Sequence, residues 1–204
     1  MNDSGIILLA EDNLDDVMLV RMAFRKAGFD NRIVVVCDGE VAINYLKGKG
    51  PYRDRTQHPI PHIFLLDLKM PRVSGFEVLA WRQRRAEWKC LPTIVLTSSY
   101  SSEDITKAYD LGANSFLTKP ADFPEFVTMM KEMIRFWLRN SKLPTPGPFV
   151  PDPAQEAEPG RKPVVAAPGL VSEERRLLQM LGRPDPEASP ARRARAKPHA
   201  AKHK

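Results

Sequence analysis

The chain has 204 residues, of which 43% are hydrophobic, and this is enough for one ordinary globular domain with additional chain. Residues 1–140 carry 19 basic and 18 acidic side chains, whereas residues 141–204 carry 12 basic and 7 acidic ones. Residues 141–204 also contain 12 of the 19 prolines. A disulfide-rich fold and a membrane span are excluded, because Cys37 and Cys90 form no CxxC pair and no apolar run approaches about 20 residues. We therefore expect a cytoplasmic protein with a folded domain over 1–140 and a mostly disordered, Pro-rich and basic tail over 141–204.

Five strand-like segments alternate with five helix-like segments in the first 140 residues. The predicted strands are short apolar runs at 6–10, 32–37, 62–67, 93–97 and 114–118. The predicted helices begin near residues 13, 38, 74, 101 and 124. Strict alternation requires right-handed crossovers and a parallel sheet that is covered on both faces. The sequence thus predicts an α/β fold, a flavodoxin-like doubly wound (βα)5 domain with a five-stranded parallel sheet.

The first and last predicted helices each have an apolar stripe with a period near 3.6. In the first helix, Asn13 is the predicted N-cap and Gly28 the predicted C-cap. Its stripe comprises Leu14, Val17, Met18, Arg21 and Phe24 or Arg25. The last helix is predicted over 124–138, and its stripe comprises Phe126, Met129, Met130, Met133, Ile134 and Trp137.

Polar or charged side chains stand where four of the predicted strands end. Glu11 and Asp12 follow the first strand, Asp67 ends the third, Thr97 ends the fourth and Lys119 follows the fifth. Ligands of an open parallel sheet bind outside the carboxyl ends of its strands. We therefore expect these five side chains to line one crevice.

Three carboxylates in one crevice repel one another unless a cation compensates their charge. Mg²⁺ is the expected cation, because it takes oxygen ligands from one or two carboxylates, waters and substrate phosphates. Asp67 is the candidate nucleophile, since a carboxylate can form an acyl phosphate. Thr97 is the candidate hydrogen-bond donor to a phosphoryl oxygen, and Lys119 supplies positive charge beside it.

Each of these side chains also has a structural interpretation. An Asp at a strand end often caps a helix, a Thr is often an ordinary strand residue, and a Lys is usually solvated. Glu11 and Asp12 can stabilise the N-terminus of the first helix through its dipole, and Asp15 and Asp16 are better placed for that role. The occurrence of such groups at four strand ends together favours the functional interpretation.

Four motifs resemble those of the receiver domain of two-component response regulators, over about residues 5–138. They are AEDN at 10–13, LLDLKMP at 65–71, LTSS at 96–99 and FLTKP at 116–120. The resemblance implies that Asp67 accepts a phosphoryl group from a phosphohistidine of a sensor histidine kinase. It also implies that Asp12, Asp67 and the backbone carbonyl of Lys69 ligate Mg²⁺, with Glu11 acting mainly through water.

The same resemblance implies that Thr97 and Lys119 bind the phosphoryl oxygens, and it makes the Lys119–Pro120 bond a candidate for the cis form, which is typical of the family. Switching in the family couples the threonine to an aromatic residue, here Phe116, where many members have Tyr. Because Phe116 lacks a hydroxyl, it would respond to packing alone, or be an ordinary core residue. Lys69 and Ser99, at positions that tune dephosphorylation in the family, are poorly suited to orient water, which implies a long-lived phosphoryl state.

The loop over 47–61 and the ending EFVTMMKEMIRFWL resemble the single-domain regulators that partner phytochrome-type sensor kinases. Members often pair through the face built by the fourth helix, fifth strand and fifth helix. A homodimer through the helix over 126–137 is therefore a hypothesis.

Residues 141–204 show no output domain, so output would come from the receiver surface, through an unknown downstream protein, or from the tail. The segment GLVSEERRLLQMLG at 169–182 is either a docking helix or a transient helix in disorder. From Ala188 onward there are six Lys or Arg and no acids, which favours binding to nucleic acid or an anionic membrane by charge alone. An alternative function is thus a phosphorylation-controlled or pseudo-receiver adaptor whose basic tail binds an anionic partner.

A metal-dependent phosphatase would also use an aspartyl nucleophile. Such an enzyme normally needs a second acid just downstream, and Leu68-Lys69-Met70 supplies none. The sequence therefore favours a phosphoacceptor over an enzyme that turns over external substrates.

Overall fold

The computed structural model describes residues 5–143, which form a five-stranded parallel sheet with helices on both faces. The strands are β1 (Ile7–Ala10), β2 (Ile33–Val36), β3 (Ile63–Leu66), β4 (Thr93–Thr97) and β5 (Ser115–Thr118). The helices are α1 (Leu14–Lys26), α2 (Gly39–Leu46), α3 (Gly75–Gln83), α4 (Ser102–Asp110) and α5 (Phe123–Ile134), with short 3₁₀ turns at Gly50–Tyr52 and Ala86–Trp88. No helix within residues 5–143 is long and apolar enough to cross a membrane.

The strand order is β2-β1-β3-β4-β5, and all four strand pairs are parallel. Every residue of β1, β3 and β4 is buried, because helices cover both faces of the sheet. Side chains alternate between the faces: Ile7 and Leu9 pack towards α1 and α5, whereas Leu8 packs towards α2 and α3. The flavodoxin-like prediction is confirmed, while residues 144–204 of the predicted tail lie outside the described residues.

The start of α1 agrees with the sequence prediction. The side chain of Asn13 accepts hydrogen bonds from the backbone N–H groups of Asp15 and Asp16, as an N-cap does. The predicted C-cap is off by one residue: Ala27 is the C-cap, and Gly28 follows it with a φ of +83°. Glycine is suited to that left-handed conformation because it has no Cβ.

The buried face of α1 differs from the predicted stripe. Val17 and Phe24 are buried as predicted, but Val20 and Ala23 complete that face, and Leu14 is 42% exposed. Leu14 is the first helical residue, and helical side chains tilt towards the N-terminus. Its side chain therefore projects beyond the turns of α1 that pack on the sheet.

The apolar stripe of α5 faces the interior. Phe126, Met130, Met133 and Ile134 are buried, and the half-buried Met129 and Trp137 pack against the same cluster. The regular helix ends at Ile134, earlier than predicted, and a π-helical turn (Arg135–Asn140) continues it. The stripe packs within the domain, and the homodimer stays a prediction.

The extended loop over 47–61 is held against α2 by one arginine. The guanidinium of Arg55 donates hydrogen bonds to the carbonyls of Tyr45 at 2.9 Å, Leu46 at 2.5 Å and His58 at 3.2 Å. Tyr45 and Leu46 end α2, where carbonyls lack partners within the helix. Arg55 therefore ties the loop to the C-terminus of α2.

A second arginine connects α3 to the strands on the β5 side of the sheet. Arg82 is 3% exposed, and its guanidinium donates to the carbonyls of Gly112 and Leu91, both at 2.9 Å, and to the side-chain oxygen of Asn114 at 3.2 Å. The same Asn114 oxygen accepts the backbone N–H of Thr93 at 2.8 Å. Arg82 thus satisfies acceptors in the segments that precede β4 and β5.

We expect Arg82→Met to lower the free energy of unfolding by about 3 kcal/mol, because it leaves the carbonyls of Gly112 and Leu91 without the guanidinium donor. Urea denaturation followed by circular dichroism measures the change. Arg84→Met is the matched control, since Arg84 is exposed at the end of α3, and it should change stability by less than about 0.5 kcal/mol. Equal stability of the two variants would contradict this role for Arg82.

Candidate phosphoacceptor and metal site

The predicted site residues meet at one edge of the sheet. In the sheet register, the last residues of β1 and β3 are paired, and so are the last residues of β4 and β5. Glu11 and Asp67 directly follow β1 and β3, Thr97 ends β4, and Lys119 follows β5. The backbone N–H of Lys119 donates to the carbonyl of Thr97 at 2.8 Å, which fixes where the lysine leaves the sheet.

Three carboxylates form the acidic part of the site. Glu11 is 3% exposed, Asp67 is 5% exposed, and Asp12 faces solvent. One oxygen from each lies within 4.8 Å of the others. Ligands on opposite sides of Mg²⁺ are separated by about 4 Å, so this spacing is close to that of ligands around one ion. The donor set, made only of carboxylate oxygens, also fits a hard divalent cation.

Lys119 provides the positive charge of the site. Its Nζ lies 2.6 Å from Glu11 Oε2, 2.6 Å from Asp16 Oδ2 and 3.9 Å from Asp67 Oδ1. Burial alone would lower the pKa of Lys119, but the neighbouring carboxylates of Asp16, Glu11 and Asp67 outweigh it and raise the pKa above its ordinary value. The ammonium therefore stays charged at neutral pH.

Glu11 is held by hydrogen bonds to both of its oxygens. Oε1 accepts the backbone N–H of Asn13 at 3.1 Å, while Oε2 accepts from Lys119. Burial raises the pKa of Glu11 above its ordinary value, and the lysine partly offsets that effect. Because protein donors occupy both oxygens, Glu11 is less available to an ion than Asp12 or Asp67.

The loop between β3 and α3 folds tightly around Asp67. Asp67 Oδ2 accepts the backbone N–H of Lys69 at 2.8 Å. A Cβ at Gly75 would lie 2.2 Å from the carbonyl oxygen of Asp67, so only glycine allows α3 to start there. Asp67 Oδ1, by contrast, has the Lys119 ammonium as its charged neighbour at 3.9 Å.

An ion pair fastens the same loop to α2. Arg72, the one non-glycine residue with positive φ in the described chain, at +64°, pairs with the fully buried carboxylate of Asp38. Asp38 also caps α2 by accepting the N–H of Val41 at 2.8 Å. The N–H of Gly39 donates to the carbonyl of Val73 at 3.2 Å. The loop that leaves Asp67 is thus anchored at the start of a neighbouring helix.

The remaining predicted residues lie beside this centre. Thr97 is fully buried, and its hydroxyl oxygen accepts the N–H of Ser99 at 3.4 Å, so the hydroxyl proton remains available. Ser99 Oγ donates to Asp104 at 2.5 Å. Phe116 is half-buried and packs against the core on the α2 and α3 face.

One expectation about the backbone is wrong in this structure. The Lys119–Pro120 bond is trans, as are the other peptide bonds of the described residues. The trans isomer is the more stable one for prolyl bonds in general, by about 0.5–1 kcal/mol.

Sequence reasoning missed the contact of Asp16. We assigned Asp16 only to the helix dipole, and it does lie in the first turn of α1, but its side chain also binds Lys119. Asp16 lies five residues after Glu11, and the bond joins it to a lysine 103 residues away in sequence. No local pattern in the sequence signals this contact.

We expect Lys119→Met to raise the pKa of Glu11 further, because the ammonium that offsets the effect of burial is removed. The pKa is measured from the pH dependence of the ¹³C chemical shift of the Glu11 carboxyl carbon in metal-free protein. Lys131→Met, on the exposed side of α5, is the control and should leave this pKa unchanged. An unchanged Glu11 pKa in Lys119→Met would show that the ion pair is weak in solution.

Several known proteins are similar to this chain in sequence and in fold. The probable methanogenesis regulatory protein FilR2 of Methanothrix harundinacea is 37% identical over 71% of this chain and 90% of FilR2. The crystal structure of the phosphorylated cyanobacterial phytochrome response regulator RcpA is 34% identical with a TM-score of 0.65, covering 70% of this chain and 99% of RcpA. The Mn²⁺-bound form of the response regulator Rcp1, a protein of Synechocystis, is 33% identical with a TM-score of 0.63, covering 69% of this chain and 99% of Rcp1.

A family model described as the response regulator receiver domain matches residues 7–131. This span contains β1 through most of α5, together with every side chain of the acidic and basic centre described above. The chain therefore belongs to the response regulator receiver domain family.

Proposed function

We propose that this chain accepts a phosphoryl group on Asp67 from a sensor histidine kinase, in a Mg²⁺-dependent reaction. The observation that carries the proposal is the joint placement of a buried Asp67, two further carboxylates and the Lys119 ammonium 3.9 Å from Asp67 Oδ1. Phosphoryl transfer depends mostly on positioning and charge stabilisation, and these groups supply both. Receiver domains are signalling domains, so the product is a protein state rather than a released compound.

In the proposed step, a carboxylate oxygen of Asp67 attacks phosphorus. A P–O bond to Asp67 forms while the P–N bond to the kinase histidine breaks, and the electron pair of that bond remains on the imidazole. The backbone N–H of Lys69 holds one Asp67 oxygen and so orients the carboxylate for attack. The acyl phosphate that results retains the charge of the transferred group.

Lys119 and Thr97 are proposed to bind the phosphoryl oxygens. An ammonium has three N–H donors, and Glu11 and Asp16 occupy two of them, so the third can be directed to a phosphoryl oxygen. The buried Thr97 hydroxyl can donate to another oxygen, with Phe116 adjusting its packing in the switch.

Asp12, Asp67 and the backbone carbonyl of Lys69 are the proposed Mg²⁺ ligands, and Glu11 is proposed to act through water. The carboxylate spacing and the exposure of Asp12 support this assignment. The Mn²⁺-bound form of Rcp1 supports a divalent ion in a similar chain. Bound Mg²⁺ would neutralise phosphoryl charge during transfer.

The proposed kinase partner is of the phytochrome type, because RcpA is described as a phytochrome response regulator and is similar over nearly its whole length. An unknown downstream protein and a homodimer through α4, β5 and α5 remain proposals. Binding of nucleic acid through the basic tail concerns residues outside the described part of the chain, and no observed contact favours it.

We expect one phosphate adduct per chain after incubation with a small-molecule phosphodonor and Mg²⁺, measured by intact-mass spectrometry. Asp67→Asn removes the nucleophile and should abolish the adduct, whereas Asp30→Asn, an exposed carboxylate before β2, should not. Chelation of the metal should reduce adduct formation in the wild type. A persistent adduct in Asp67→Asn, or none in the wild type, would contradict the proposal.

We also expect the acyl phosphate to decay slowly, because Ser99 Oγ is bound to Asp104 and the exposed side chain of Lys69 carries no amide group that could orient water. Lys69→Asn introduces an amide at that position and should shorten the lifetime severalfold. Loss of the adduct over time at neutral pH measures the rate, and Lys131→Asn on α5 is the control. Rapid decay in the wild type would show that another group orients the water.

A further inference from the structure

We infer that Asp16 is a positioning residue that limits how strongly Lys119 binds the phosphoryl group on Asp67. This inference rests on the proposed function, and it gives a regulatory role to a carboxylate outside the cluster of Glu11, Asp12 and Asp67. Asp16 competes with the phosphoryl oxygens for one ammonium.

The competition follows from the position of Asp16. Glu11 and Asp67 follow strands of the sheet, but Asp16 belongs to the first turn of α1 and approaches Lys119 from that helix. Its Oδ2 lies 2.6 Å from Nζ, a distance typical of a strong charge-assisted hydrogen bond. With the lysine side chain only 12% exposed, solvent weakens this pair less than it weakens a surface ion pair.

Lys119 does not contact Asp67 by a hydrogen bond in this arrangement. Nζ lies 3.9 Å from Asp67 Oδ1, whereas it lies 2.6 Å from both Glu11 and Asp16. Because Glu11 and Asp16 take two of its three N–H donors, the ammonium can offer phosphoryl oxygens on Asp67 only the third unless one of these short bonds is given up. Of these two bonds, the one to Asp16 comes from helix α1, whereas Glu11 directly follows strand β1.

The negative charge of Asp16 also disfavours the phosphorylated state of Asp67. Phosphorylation replaces the single charge of the Asp67 carboxylate with about two negative charges on the phosphoryl oxygens, in a crevice that already contains other carboxylates. The Asp16 carboxylate repels the phosphoryl oxygens, and it also holds the Lys119 ammonium through its own ion pair. Its removal should therefore favour the phosphorylated state relative to the unmodified one.

Asp15 provides a matched control. Its backbone N–H, like that of Asp16, is bound by the Asn13 cap, and both carboxylates lie in the first turn of α1. Asp15 is exposed and has no ion pair with Lys119 in the described structure, whereas Asp16 has one. A comparison of Asp15→Asn with Asp16→Asn thus separates the lysine contact from the helix dipole.

The test measures the affinity of the full chain for beryllofluoride, a tetrahedral mimic of a phosphoryl group, by ¹⁹F NMR at saturating Mg²⁺ for each variant. Asp16→Asn should bind about three- to tenfold more tightly than the wild type, the range expected for loss of a partly exposed competing charged bond. Asp15→Asn should match the wild type, and Asp16→Glu, which retains a carboxylate within reach of the ammonium, should restore wild-type affinity.

Equal or weaker binding by Asp16→Asn would overturn the inference, as would a similar gain in Asp15→Asn. The thermal midpoint of each metal-free variant shows whether folding is intact, and a gain in affinity by a folded Asp16→Asn cannot come from lost structure. A phosphate adduct on Asp67 in the wild type, together with unchanged affinity in Asp16→Asn, would refute this role while leaving the proposed function in place. Absence of both the adduct and beryllofluoride binding in the wild type would refute both.

Discussion

The ion pairs of Lys119 are the interaction on which the geometry of the site depends. Glu11 and Asp67 are almost completely buried, and buried carboxylates are costly unless a positive charge lies near them. Lys119 is 108 residues from Glu11 in sequence and reaches it only because β5 is joined to the sheet through β4. The charges are therefore balanced only when the sheet is assembled, so formation of the site is coupled to formation of the fold.

Two further constraints hold the nucleophile in place. Gly75 lets α3 begin against the carbonyl of Asp67, and the pair of Arg72 with Asp38 anchors the intervening loop to α2. The backbone of Asp67 and the loop that follows it are thus fixed at the starts of α2 and α3. In a parallel sheet, the loops that leave the carboxyl ends of neighbouring strands lie side by side, so contacts between these loops can hold a site residue in position.

The helices, the strands and the meeting of Glu11, Asp67, Thr97 and Lys119 at one edge of the sheet could be predicted from the sequence. Strand β4 has the predicted bounds, and Asn13 caps α1, since runs of branched apolar residues and side-chain caps are encoded within a few residues. The convergence of Glu11, Asp67, Thr97 and Lys119 follows from the parallel topology alone. Local pattern and topology together were sufficient for these features.

Features that depend on tertiary contact were not predictable in this way. The exposure of Leu14 depends on where α1 meets the sheet, and the π-helical turn after Ile134 has no recognised sequence signal. From the sequence alone, Arg82 is expected to be an ordinary solvated arginine. In the structure it is buried and donates to carbonyls in the loops before β4 and β5. The bond between Asp16 and Lys119 likewise joins residues that only the folded chain brings together.

The most direct test of the account is a crystal structure of the protein with beryllofluoride and Mg²⁺. We predict that beryllium is bound to Asp67, that Lys119 Nζ is within hydrogen-bond distance of a fluorine atom, and that its distance to Asp16 exceeds the present 2.6 Å. A complex in which Lys119 keeps both short bonds to Glu11 and Asp16 and contacts no fluorine would contradict the central role assigned to this lysine.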